Sequence, residues 1–414
     1  MNLIDIAYLI LFIPLSPIIL FYLLEKKKFS IIKTKFSPKI KPGNKKKLWF
    51  NAVSVGEVKS LRSIINHFEK KGYEIVLTIT TTTGFKIAKD LFSRNITILY
   101  SPIDLSFVIK RFIKGINPLI FITNELEIWP NLLKILNKRK IPMILINGRI
   151  SDNALKRYKV IRFITSSMLN KFDRILVQSE SYKNRFNEFI KNEKKIKICG
   201  NFKMDQAIKD SKKLENNSYI LKQLKIKKTI KPILVLASSH YEEEKLLLDS
   251  IKELLKEFSI IVVPRHFNRI ENFKKECNKI NVKVKIWSKS QEIDLDNEVM
   301  IYDKMGYLLN IIKISDFVFM GGTLNPSIGG HSFYEPSVLK KPVISGKYYN
   351  NFKEIAEDMI SNNVLYIVQN SEDFIKRLKE LKDKDISLNL FDRIIENRKG
   401  AINCTINEIE NLIK

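Results

Sequence analysis

Cysteine and histidine are scarce in this chain of 414 residues, with three of the first and four of the second. Cys199, Cys277 and Cys404 are odd in number and far apart. They offer neither a disulfide framework nor metal-ligand spacing, and a reducing, cytosolic setting is expected. No H-x-x-H or C-x-x-C pair occurs, and no Asp-x-Asp follows the end of an expected strand, so no metal is expected. Acidic residues are also short: 72 Lys+Arg stand against 44 Asp+Glu, a formal net charge of +28. Nucleic acid is the usual partner of such an excess. Here the lysines are spread over most expected helices, with no helix-turn-helix, zinc-finger or RNA-binding signature, and no nucleic acid is expected. A biased base composition explains a chain rich in Lys, Ile and Asn. Attraction to an anionic membrane or substrate is the functional alternative.

Long apolar runs are absent except for one, Leu3–Leu24, which ends on Glu25-Lys26-Lys27-Lys28. About 20 such residues span a bilayer. Asp5, Pro14 and Pro17 interrupt it, and no basic residue precedes it as a signal peptide requires. The run is expected to be a membrane anchor with its basic collar on the cytoplasmic side. The next segment, Phe29–Phe36, suits the headgroup region.

From Leu48 onward, short apolar runs alternate with helical patterns. LWFNAVS, YEIVLTIT, ITILYSP, PLIFITN, IPMILING and DRILVQS form a first series. PILVLASS, SIIVVPRH, VKVKIWS, VMIYD, DFVFMGG and PVISG form a second. Alternation of this kind predicts parallel sheets with helices on both faces, hence two Rossmann-like domains with a cleft between them. The expected boundaries are 1–28 for anchor and collar and 45–205 for the first domain. A polar linker at 206–231 precedes the second domain at 232–385, and 386–414 are helices able to pack back on the first.

Ligands of such sheets bind beyond the carboxyl ends of the strands. In the second domain the strand Phe317–Met320 ends in Gly321-Gly322, followed by Gly329-Gly330, His331 and Glu335-Pro336. Glycines there let backbone N–H groups approach phosphate, and a carboxylate behind them can hold ribose hydroxyls. A nucleotide sugar fits this pattern, and so does a plain strand–helix turn. Ser239, His240, Arg265 and His266 also follow expected strands, and Lys203 lies in GNFK, so a phosphate and a carboxylate could be met together. In the first domain Ser54-Val55-Gly56-Glu57 closes a strand and opens a helix. Ser54 suits an N-cap, Gly56 a tight turn, and the helix dipole favours an ionised Glu57. Such a carboxylate can take a proton from an attacking hydroxyl, or merely complete the helix start. Thr82 and Gly84 in TTTTG, with Glu125 and Glu127 in NELEIWPN, are further acceptor-side candidates.

These segments in this order resemble the 3-deoxy-D-manno-octulosonic acid (Kdo) transferases of lipopolysaccharide biosynthesis. The likeness runs through NAVSVGEV (51–58), TTTTG (80–84), ELEIWPN (125–131), INGRIS (146–151), GNFKMD (200–205), ASSHYEEE (237–244), VPRHFNR (263–269), DKMGYL (303–308) and GGTLNPSIGGHSFYEP (321–336). It implies a GT-B type fold with an N-terminal membrane anchor helix. It also implies a metal-independent, inverting transfer of Kdo from CMP-Kdo to a lipid A precursor at the cytoplasmic face of the inner membrane. No cofactor is implied, CMP-Kdo being a co-substrate. Glu57 matches the catalytic base. Ser54, Gly56, Thr82, Gly84, Glu125 and Glu127 fall on the acceptor side. Lys203, Ser239, Arg265, His266, Gly321, Gly322, Gly329, Gly330, His331 and Glu335 fall on the donor side. Asn51 stands where the family usually has His, and Ser332 where it has Asn. Another membrane-attached GT-B transferase with a different nucleotide sugar is the next reading. A non-catalytic basic protein that binds anionic lipid is the reading from another class.

Overall fold

The computed structural model describes residues 2–12, 34–36, 47–227 and 229–414. The chain forms two units, Met1–Asp205 with Arg398–Lys414, and Gln206–Asn397. Each is built on a seven-stranded parallel sheet.

In the first unit the strands are β1 (Lys47–Ala52), β2 (Glu74–Ile79), β3 (Thr97–Tyr100), β4 (Pro118–Asn124), β5 (Met143–Gly148), β6 (Arg174–Val177) and β7 (Ile196–Ile198). Their order is β3-β2-β1-β4-β5-β6-β7. β1 is buried along its whole length, which is why its sequence, KLWFNA, is apolar without alternation. Leu48, Phe50 and Ala52 join one core, and Trp49 joins the other on the opposite face. The last helix, Ala401–Ile413, supplies Ala401, Ile406 and Ile409 to the first of these cores. A disulfide between Cys199 and Cys404 fixes it there, with Cα atoms 5.6 Å apart across 205 residues of sequence. This corrects the expectation of unpaired cysteines. Spacing along the chain is no guide when the chain returns to its own first half.

The second unit contains β8 (Ile233–Ser239), β9 (Ser259–Pro264), β10 (Val284–Ile286), β11 (Val299–Ile301), β12 (Phe317–Met320), β13 (Val343–Ser345) and β14 (Leu365–Ile367), ordered β10-β11-β9-β8-β12-β13-β14. Its core gathers Leu234, Leu247, Phe258, Ile260, Phe319 and Phe374. The stretch 206–231, read as linker, holds the end of the helix Phe202–Ser211 and the helix Asn217–Gln223, with Ile226 bridging to Ile293.

The expected anchor is described only in part, by the helix Leu3–Phe12; residues 13–33, with Pro14, Pro17 and the Lys26–Lys28 collar, lie outside the described residues. Among the described residues no helix is long and apolar enough to cross a membrane. The described helix docks on the first unit. Asp5, only 1% exposed, accepts from the backbone N–H of Ser106 at 2.9 Å, its hydroxyl at 2.6 Å and the Asn131 amide at 3.0 Å. Tyr8 donates to Asp104 at 2.9 Å.

Candidate active site

The strand order reverses at β1 and β4 in the first unit, and crevices at such points collect ligands. Glu57 sits there, in the first turn of the helix Val55–Lys70. Its carboxylate folds back on the turn, accepting from the Val53 N–H at 3.0 Å and the Ser54 hydroxyl at 3.0 Å. The helix-start role is therefore real, and the electrostatics add a second one. Burial, opposed by the Val53 hydrogen bond and assisted by the charges of Glu125 and Glu127, pushes the Glu57 carboxyl up to about 7. The dipole argument had pointed the other way. A helix N-terminus contributes a fraction of a charge, and here desolvation and two carboxylates outweigh it. The result is a carboxylate poised near neutrality, where a general base works best.

Both neighbours come from the loop after β4. Glu125 holds a left-handed backbone (φ 58°), and its N–H donates to Ile146 at the end of β5. Its carboxylate pairs with Arg149 at 2.9 Å. Glu127 is raised by burial and by Glu125, while a hydrogen bond with Trp129 lowers it. Arg149, in INGRIS, was missed as a functional residue. Its signal was an arginine directly after one strand end, with two acidic residues in the loop that follows the neighbouring strand.

The other first-unit candidates divide. Ser54 caps the helix and contacts Glu57. A Cβ on Gly56 would meet nothing nearer than Ser54 Oγ at 3.8 Å, so the fold does not require glycine there. Gly84 is the reverse: a Cβ would lie 2.9 Å from Thr81 Oγ1 and 3.0 Å from Ile79 Cγ2. It is a packing glycine at the start of the helix Thr82–Leu91, on which Thr82 is exposed. Asn51 is buried and accepts from Thr78 Oγ1 at 2.9 Å and Ser101 Oγ at 3.0 Å, its amide nitrogen finding no partner. Lys203 also belongs to the first unit, on the helix that runs across the boundary.

In the second unit the corresponding reversal lies between β8 and β12. Gly321 passes so close to the β8 end that a Cβ would meet the Ser238 carbonyl oxygen at 2.2 Å. Gly322 is left-handed (φ 72°), and the N–H of Gly330, further along the loop, donates back to its carbonyl at 2.8 Å. Gly329, against Asn351, completes the loop. Beside it the rings of His240 and His331 are nearly coplanar (8°) and joined Nε2 to Nε2 at 2.8 Å. One ring donates and the other accepts, which suits a neutral pair. Burial, then His240, Arg265 and His266, push the His331 imidazole down to about 4. His240 is lowered chiefly by burial, with Glu243 and Glu242 opposing and His266 and Arg265 assisting. His266 meets His240 edge-on at 5.4 Å, and both Arg265 and His266 are exposed at the end of β9. Ser239 is buried, and Glu335 is half-buried on the short helix Tyr334–Val338. The arrangement presents backbone N–H groups, a guanidinium and imidazoles, a set that suits an anionic group.

A family model described as 3-Deoxy-D-manno-octulosonic-acid transferase (kdotransferase) matches residues 26–206. A 3-deoxy-D-manno-octulosonic acid transferase of Haemophilus influenzae is 31% identical over 375 residues, which cover 86% of this chain and 84% of that one. The chain belongs to the Kdo transferase family. A bifunctional glycosyltransferase/methyltransferase of Fusobacterium nucleatum is 33% identical over 375 residues, 88% of this chain but 57% of that protein, so this chain spans little more than half of that relative. A glycosyltransferase structure from Rickettsia africae aligns over 90% of this chain and 98% of that one with a TM-score of 0.58 at 17% identity, a likeness of fold. Two α/β units with parallel sheets accord with the GT-B type.

In the second unit, Glu243 is a residue that sequence reasoning missed. It is fully buried, and its carboxylate accepts from His240 N–H at 2.9 Å, Thr323 N–H at 3.1 Å and Leu324 N–H at 3.0 Å. It thus clamps the glycine loop to the β8 turn. Two of its partners, Thr323 and Leu324, lie 80 and 81 residues away, so no local pattern announced the clamp.

Proposed function

We propose that this transferase moves Kdo from CMP-Kdo to a lipid A precursor of the lipid IVA type, with inversion and without a metal ion, at the cytoplasmic face of the inner membrane. The observation that carries the reading is Glu57, a half-buried carboxylate at the switch point of its sheet, raised to about 7. In its ionised form Glu57 accepts the proton of the acceptor hydroxyl. The acceptor oxygen forms a bond to the anomeric carbon of Kdo as the bond from that carbon to the CMP phosphate oxygen breaks. CMP leaves with the bonding electron pair. Arg265 and the N–H groups of the loop Gly321–Gly330 balance the charge on that phosphate. His331 and Glu335 hold the cytidine end, and Lys203 meets the donor's anionic groups. Arg149 neutralises Glu125 and so keeps the ionised state of Glu57 accessible. The basic excess and the apolar amino-terminal run bring the enzyme to its anionic lipid acceptor.

The test is incubation of purified enzyme with a lipid A precursor and either CMP-Kdo, generated in situ, or a UDP-sugar, with the lipid products resolved by mass. A product heavier by one or more Kdo units with CMP-Kdo alone is expected. Transfer from the UDP-sugar instead would replace this reading with another nucleotide-sugar transferase. Salt-sensitive lipid binding with no transfer from any donor would leave only a lipid-binding protein.

A further inference from the structure

The connection between β5 and β6 holds two short helices, Asp152–Val160 and Arg162–Leu169, meeting at Ile161. At their junction four large apolar side chains point away from the protein. Val160 is 86% exposed, Ile161 47%, Phe163 88% and Ile164 49%. Soluble surfaces carry isolated apolar residues freely, but a contiguous cluster of this size marks an interaction site. The second of these helices buries Thr165, Met168 and Leu169, which hold the junction in place, while among the described residues no element covers its tip. The cluster is interleaved with four exposed cations, Lys156, Arg157, Lys159 and Arg162. Lys159 pairs with Glu188 at 2.7 Å, and Arg162 donates to the Glu188 carbonyl at 3.0 Å, which anchors the base of the junction. A second apolar set, Ile6, Ile10 and Phe107, is exposed where the first helix docks through Asp5 on Ser106.

We propose that the junction Val160–Ile164 is a membrane-docking knuckle, with Val160 and Phe163 entering the acyl boundary of an anionic bilayer while Lys156, Arg157, Lys159 and Arg162 meet its headgroups. Apolar tips ringed by cations complement an anionic lipid surface in both respects. A soluble acidic protein would satisfy the cations but leave no reason for two nearly fully exposed apolar tips. The chain enters this connection directly from Arg149, which pairs with Glu125 beside Glu57, so docking here places the acceptor side of the site at the lipid. The inference deepens the reading of a lipid acceptor and rests on it.

The experiment uses the full chain carrying Phe163→Trp, with vesicles of phosphatidylcholine alone or with phosphatidylglycerol. Emission above that of the wild-type chain, with its three native tryptophans, reports position 163. With anionic vesicles that emission is expected to shift to the blue and to be quenched by lipids brominated on their acyl chains. The pair Val160→Ser with Phe163→Ser is expected to bind these vesicles about tenfold more weakly, while its rate on detergent-dispersed acceptor stays at the wild-type level. Vesicle binding without quenching at 163 would place the membrane contact elsewhere and overturn the proposal. So would absence of binding, or a blue shift that follows protein concentration without lipid and marks a second copy as the occupant. Quenching at 163 with no Kdo transfer would sink the proposed reaction and leave the docking surface standing.

Discussion

Glu57 and Glu243 occupy the same place in their two units. Each is the third residue of the helix that follows a central strand, β1 or β8, and each folds its carboxylate back on a backbone N–H of the turn. Their surroundings then diverge. Glu57 is left half-buried with two other glutamates near it, and its affinity for a proton rises to about 7. Glu243 is fully buried and receives two further N–H groups, from Thr323 and Leu324. The first carboxylate stays available to a substrate proton; the second is consumed as a clamp. One local motif thus has the proposed base in one unit and a structural clamp in the other, and the elements that pack against it set the difference.

The largest expected effect that tests this contrast is on Glu57→Gln, which keeps an acceptor for Val53 N–H but cannot take a proton. Its rate of Kdo transfer is expected to fall by roughly 10²- to 10⁴-fold with little change in CMP affinity, measured by single turnover and by calorimetric titration. Glu243→Ala should do the opposite kind of damage. One buried and two partly buried N–H groups lose their acceptor, so unfolding free energy is expected to drop by about 1–3 kcal/mol and CMP binding to weaken, as read by denaturant titration and calorimetry. Unaltered CMP binding in a folded Glu243→Ala protein would erase the distinction between the two carboxylates.

A smaller effect concerns the neighbours of Glu57. Glu125→Gln removes a negative charge that raises Glu57 and frees Arg149 to act on it, and both changes lower its pKa. The acid limb of the pH–rate profile is then expected to move down by several tenths to about one pH unit. The smallest effect is at Gly56. Space exists for a methyl group, so Gly56→Ala is expected to raise stability by about 0.5–1 kcal/mol, seen as a slightly higher Tm. Any loss of transfer in that stable variant would show that the glycine serves the acceptor rather than the fold.

The sheets were legible because their central strands are long and apolar on both faces, as in LWFNA and ILVLAS. β7 and β14 escaped notice: each has three residues, sits at a sheet edge and carries exposed or half-buried positions. The site was legible as residue types after strand ends, since that is where loops collect polar groups. Its physics was not. The upward shift of Glu57, the Glu125–Arg149 pair, the coplanar His240–His331 couple and the three-point clamp by Glu243 all depend on contacts between distant segments. Cys199 and Cys404 failed as a sequence signal for the same reason, being brought together by the return of the final helix.

The most direct measurement of the central contrast is the pH dependence of transfer and of CMP binding on the wild-type enzyme between about pH 8 and pH 6. With ionised Glu57 as the proposed base, transfer is expected to fall as pH drops through about 7. CMP binding is expected to stay level across that range, because His331, pushed down to about 4, remains neutral there. Transfer that holds level down to pH 6, or that falls only in step with CMP binding, would contradict the assignment of Glu57 as the base.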